Sequence, residues 1–96
     1  MNNKDRFVEW YIGQINPRTR RPYKERPART YIAYINRLVR EGLVGNNIFD
    51  VGVDEFMRQI NRAQKQQPAQ FGTLENHCCL KNGIKWWKRF LDAQAR

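Results

Sequence analysis

Lys81, Lys85 and Lys88 follow one another at steps of four and three, with Arg89 beside them. On a helix such steps return to the same side, so these residues form a row of positive charge. Arg29, Asn36, Arg37 and Arg40 make a second set of the same kind, opposite an apolar stripe of Tyr31, Ile32, Ile35, Leu38 and Val39. Lys and Arg in rows neutralise phosphates and release the counterions condensed on them. A helix of about 10–12 Å diameter fits the major groove of DNA. Arg and Asn can there read guanine and adenine edges. Two such helices point to a nucleic-acid surface more strongly than one, because a single basic face is the ordinary solvated side of an amphipathic helix.

Bulk charge agrees. Eighteen Lys and Arg stand against nine Asp and Glu, a formal net charge of +9 over 96 residues. Charge this one-sided attracts polyanions and exceeds what solubility requires. Hydrophobic residues make up 41% of the chain, enough for one folded core. No apolar run approaches the roughly 18–20 residues of a membrane span. The opening Met-Asn-Asn-Lys-Asp-Arg has no apolar stretch of the signal-peptide kind, so a cytoplasmic or nucleoid-associated protein is expected, with no membrane partner.

The other reactive residues do not combine into an active site. His77, Cys78 and Cys79 are consecutive, whereas structural zinc needs about four converging ligands. They read as packing residues, with no metal expected. His77 has no nucleophile partner other than its chain neighbours, whose geometry is wrong for a dyad. Asp54-Glu55 is the only adjacent acidic pair, and a helix start explains it. No Gly-rich phosphate loop occurs. Neither enzymatic activity nor a cofactor is expected.

Four helices must position these residues. The first is expected over residues 4–15, capped by Asn3, with Phe7, Val8, Tyr11, Ile12 and Ile15 inward and Trp10 beside them. Asn16-Pro17 ends it. Residues 16–27, NPRTRRPYKERP, form a basic Pro-rich loop. Its Arg18, Arg20, Arg21, Lys24 and Arg26 are open to two readings, a solvated linker or a mobile arm that tracks phosphates. The second helix spans residues 28–41, started near Pro27 and ended by Gly42 or Gly45. The connection 42–53 sends Ile48, Phe49 and Val51 into the core. The third helix starts near Asp54 as its cap and fades towards Pro68. Gly72-Thr73 opens the fourth and longest, whose apolar side is Leu74, Cys78, Leu80, Ile84, Trp87, Phe90 and Leu91. Gly83 in mid-helix costs about 1 kcal/mol against Ala, and marks either a close helix approach or a tolerated defect. Trp86 and Trp87 cannot both face one core. Trp87 follows the stripe, and packing of Trp86 against the first helix is preferred over stacking on bases. The expected fold is all-α, a four-helix bundle over residues 1–96 as a single domain.

Three segments carry a family resemblance. FVEWYIGQ (residues 7–14), ARTYIAYINRLVREGL (28–43) and GTLENHCCLKNGIKWWKRFLDAQ (72–94) resemble the first, second and closing helices of the N-terminal SAM-like core-binding domain of tyrosine recombinases, the phage-integrase family, while VDEFMRQINRA (53–63) fits its short third helix. The resemblance covers nearly the whole chain and lies in helix order and apolar positions. It implies a SAM-like orthogonal bundle forming half of a clamp on duplex DNA. It also implies DNA contact by Arg29, Asn36, Arg37, Arg40, Lys81, Lys85, Lys88 and Arg89, and recombination proteins or a catalytic domain as partners. The Arg/His cluster and nucleophilic Tyr of that family lie in its catalytic domain, so none of Tyr11, Tyr23, Tyr31 or Tyr34 takes that role. The long loop 16–27 departs from the usual short first connection, which admits the DNA-recognition domain of a restriction-type nuclease. A protein-interaction module with an acidic partner, or an RNA binder, shares the same electrostatics.

Reading His77, Cys78 and Cys79 as packing residues has a direct check. Adding a metal chelator should leave the helical circular dichroism unchanged, and a large loss of signal would reveal a metal site.

Overall fold

A computed structural model describes residues 2–66 and 78–95. Among them the chain forms four helices, α1 (Asn3–Ile12), α2 (Glu25–Arg40), α3 (Val53–Gln66) and α4 (Cys78–Gln94), in an all-α bundle. Among the described helices α4 packs on all three others, most extensively on α2, and α3 packs on α4 alone. The radius of gyration is 13.3 Å, against about 13 Å for a compact 100-residue domain.

The helix boundaries differ from the sequence expectation in ways that have physical causes. α1 is capped by Asn2, whose side chain accepts from the Asp5 N–H at 2.9 Å. Asn3, the expected cap, is helical, and its side-chain amide donates to the Phe49 carbonyl at 2.9 Å, tying α1 to the 42–53 connection. α1 ends at Ile12 and not at residue 15, because Gly13 and Gln14 close the last turn onto Trp10 and Tyr11. Phe7, Val8 and Tyr11 are buried as expected, but Ile12 is 38% exposed and Ile15 57% exposed. α2 begins three residues early, at Glu25, so Pro27 lies in the first turn. Proline is tolerated there because the first N–H groups of a helix lack intrahelical partners. α2 ends as expected at Gly42, which takes φ +73°. The Gly42 N–H bonds the Val39 carbonyl and the Leu43 N–H bonds the Leu38 carbonyl, both at 3.0 Å, a Schellman closure. α3 starts at Val53, which puts Asp54 and Glu55 in its first turn and not at the cap. The expected start of the last helix at Gly72-Thr73, together with Leu74 and His77, lies outside the described residues, as do the side chains of Cys78 and Cys79.

One core cluster joins α1, α2, α3, α4 and the connection that carries Ile48 and Phe49. Aromatic rings dominate it. Trp87 is fully buried, its ring 4.8 Å from Phe7, 5.1 Å from Phe49 and 5.3 Å from Phe90. Rings at such separations contribute beyond their buried area. Trp86, one residue on, packs beside Trp10 at 5.9 Å, the arrangement preferred from sequence.

At Gly83 α4 comes close against the backbone of α2. A Cβ there would lie 3.1 Å from the Tyr31 Cβ and 3.3 Å from its Cα. The backbone of α2 thus occupies the space where any larger side chain would sit. Replacing Gly83 with Val should destabilise the fold by about 1–3 kcal/mol through overpacking. Thermal denaturation would register this as a midpoint lower by roughly 4–8 °C per kcal/mol. An unchanged midpoint would mean that the helices have room to spare.

Candidate nucleic-acid interface

The segment after α1 is a small hairpin. Ile15 and Pro22 form an antiparallel bridge, the Tyr23 N–H bonds the Gln14 carbonyl at 3.1 Å, and the Asn16 N–H bonds the Arg21 carbonyl at 2.9 Å. At the tip Asn16 Oδ1 accepts from the Arg18 N–H at 2.9 Å, and Arg20 turns the chain with φ +57°. The left-handed region is uncommon outside glycine, and the bond from the Arg20 N–H to the Asn16 carbonyl at 2.7 Å holds it. These bonds shape residues 15–23 into an exposed hairpin that carries Arg18, Arg20 and Arg21, with Lys24 just after it. Arg26 belongs to the first turn of α2.

Tyr23 fixes the hairpin to the body. Its ring lies 4.8 Å from Tyr11 and 5.1 Å from Trp86. Burial pushes the Tyr11 phenol well above its ordinary value, and its hydrogen bond with Tyr31 adds to the effect, followed by the charges Tyr31 and Tyr23 would carry if ionised. Tyr11 is therefore a neutral hydrogen-bonding group in the core of this junction.

Two clefts meet at Tyr23. One, of about 530 Å³, has Arg21, Lys24 and Thr19 in its wall. The other, of about 580 Å³, lies between the hairpin and α4, with Trp10, Ile15 and Trp86 in its lining and Lys85, Arg89 and Asn82 from α4. The Arg89 guanidinium sits 5.0 Å from the centre of the Trp86 ring, within the range of a cation–π contact. The two walls come from stretches of chain with an unusual property. Residues 10–24 and 76–91 together contain eight of the eighteen Lys and Arg and none of the nine Asp and Glu.

The remaining expected residues lie outside these clefts, all of them exposed except Asn36. Arg29 on α2 lies 3.5 Å from Asp5 and 3.5 Å from Glu25. Arg37 lies 3.2 Å from Glu41, and Lys88 lies 3.6 Å from Asp92. Arg40 and Lys81 are exposed, and Asn36 is half-buried. Arg18 and Arg20 project from the exposed hairpin tip. Among the described residues Lys81, Lys85, Arg89, Arg40 and the hairpin cations have no carboxylate partner within 4.0 Å, the reach of an ion pair. Exposed ion pairs contribute about 0–1 kcal/mol, so Arg29, Arg37 and Lys88 can exchange a carboxylate for a phosphate at little cost. On α3, Arg58 is bound to Glu55 and holds that carboxyl below its ordinary value, leaving Arg62 exposed nearby.

The cleft residues Trp10, Ile15, Tyr23, Asn82 and Trp86 were not expected as site residues. The absence of acidic residues from two long stretches was a visible signal. That the stretches face one cleft was not, since it depends on the hairpin turning back on α4. Among the described residues no group of three or more His, Cys, Asp or Glu could hold a metal, and no helix is long and apolar enough to cross a membrane. No protein-family model, curated protein or solved structure matches the chain.

Proposed function

We propose that the chain binds duplex DNA, holding phosphates with the hairpin cations and with Lys85 and Arg89 of α4. The exposed face of α2 supplies a second contact. The observation that carries this reading is the meeting of two acid-free, cation-rich stretches at one cleft pair. A surface with no carboxylate of its own places positive potential where a polyanion can approach without like-charge repulsion. Lys85 and Arg89, four residues apart, lie on one side of α4, and Arg21 and Lys24 flank Tyr23 across the junction. The proposal extends to a place in a recombinase or integrase system, as the module that clamps DNA while other domains or proteins supply the chemistry. That extension rests on the order of helices and apolar positions that resembles the core-binding domain.

The test is a titration with duplex DNA, single strands and RNA at two salt concentrations. Counterion release requires duplex affinity to fall roughly tenfold or more between about 50 and 200 mM salt. Charge reversal separates a defined surface from diffuse attraction. Lys85→Glu and Arg37→Glu should weaken duplex binding well beyond Arg62→Glu, which removes the same charge from α3. All three positions are exposed, so stability should move by only about ±0.5 kcal/mol. Equal losses at Arg62 and Lys85 would contradict a defined docking face. Undetectable duplex binding at low salt would overturn the reading and favour an acidic protein partner.

A further inference from the structure

We infer that the cleft between the hairpin and α4 takes one unpaired nucleotide of the bound DNA, its base against the aromatic floor and its phosphate on Lys85. The inference rests on the reading of the chain as a DNA-binding module and assigns a specific ligand to one part of its surface.

The cleft contains more than phosphate contacts need. Backbone binding requires cations and hydrogen-bond donors. Here the cations stand around apolar and aromatic groups, with Trp10, Tyr23 and Trp86 half-buried and Ile15 57% exposed. A paired duplex hides the faces of its bases in the stack and offers this floor nothing. An unpaired base offers a flat apolar face joined to a negative charge, which matches an aromatic floor edged by Lys85 and Arg89. Arg89 adds a planar element. Its guanidinium lies over Trp86 at 5.0 Å while the side chain remains exposed, so a base can stack on its outer side. Aromatic rings and Arg together are the common means of holding unpaired bases. The volume of about 580 Å³ is within the roughly 300–1,000 Å³ of small-ligand sites. An acidic peptide matches the charge, but the cation–π pair of Arg89 and Trp86 favours a planar ring directly beside the anion.

The experiment compares three forms of one labelled duplex, fully paired, with a single extra adenine, and with an abasic residue in place of that adenine. The abasic form keeps the phosphate and the bend but lacks the base. The adenine form should bind about fivefold or more tighter than the abasic form, the lower end of what stacking one base provides. It should also quench tryptophan fluorescence more strongly. Trp87 is fully buried, so the quenched signal comes from Trp10 and Trp86. Arg89→Met and Ile15→Ser should each remove the preference for the base. Both positions are exposed, and unchanged circular dichroism would verify the fold. Ile15→Ser leaves every charge of the cleft in place, so its effect reports on the apolar floor itself. Equal binding of adenine and abasic forms would overturn the inference while leaving duplex binding in place. Binding of the adenine form alone would support it and overturn the duplex reading. No binding to any form, or equal quenching by a peptide of alternating Glu and Phe, would overturn it.

Discussion

The contact of Tyr23 with Tyr11 and Trp86, at 4.8 and 5.1 Å between ring centres, sets where the hairpin cations stand relative to those of α4. The hairpin that precedes Tyr23 has few hydrogen bonds and a single bridge, too little to be stable alone. Its orientation is held by the half-buried Tyr23 ring against Tyr11 of α1 and Trp86 of α4. The same rings belong to the core through Trp10, Phe7 and Phe90, so the placement of surface cations is tied to the burial that stabilises the fold. A change that loosens this junction would move charge as well as cost stability.

Charge placement, more than charge number, distinguishes the surfaces. α2 and α3 carry cations interleaved with carboxylates, and Arg29, Arg37 and Arg58 each have one as a partner. Among the described residues the hairpin cations and Lys81, Lys85 and Arg89 of α4 have no such partner, while Lys88 pairs with Asp92. In water a single exposed pair is worth little, but the summed field of several unopposed charges reaches farther, out to about 8–10 Å at physiological salt. The fold sets these unopposed charges on both sides of one junction. α4 can contribute in this way because it is the hub of the bundle. Leu80, Gly83, Trp87 and Phe90 satisfy its neighbours on one side, leaving Asn82, Lys85 and Arg89 to face the cleft.

Much of the architecture was legible from apolar spacing. Ile32, Ile35 and Leu38 on α2, and Leu80, Trp87 and Phe90 on α4, are buried where a period of 3.6 residues puts them. The tight contact at Gly83 was one of two readings, and only the position of Tyr31 decides between them. What periodicity misread was the end of α1. Ile12 and Ile15 continue the stripe in sequence, yet the helix stops between them. Pairing of Gln14 and Asn16 with Tyr23 and Arg21 across the turn satisfies backbone groups that a longer helix would have used. That competition depends on residues five and nine positions further along the chain and leaves no mark on the spacing of α1. The candidate site was half legible for the same reason. Its cations could be named one by one, but the cleft and its aromatic floor arise from a long-range contact between Tyr23 and Trp86.

The central claim is that the hairpin and α4 form one DNA-facing surface. Amide chemical-shift mapping tests it most directly, with labelled protein titrated by a short duplex at low salt. The account predicts that the largest shifts fall within residues 14–24 and 81–89, with α3 (Val53–Gln66) nearly unmoved. Shifts centred on α3, or spread evenly over the four helices, would contradict it.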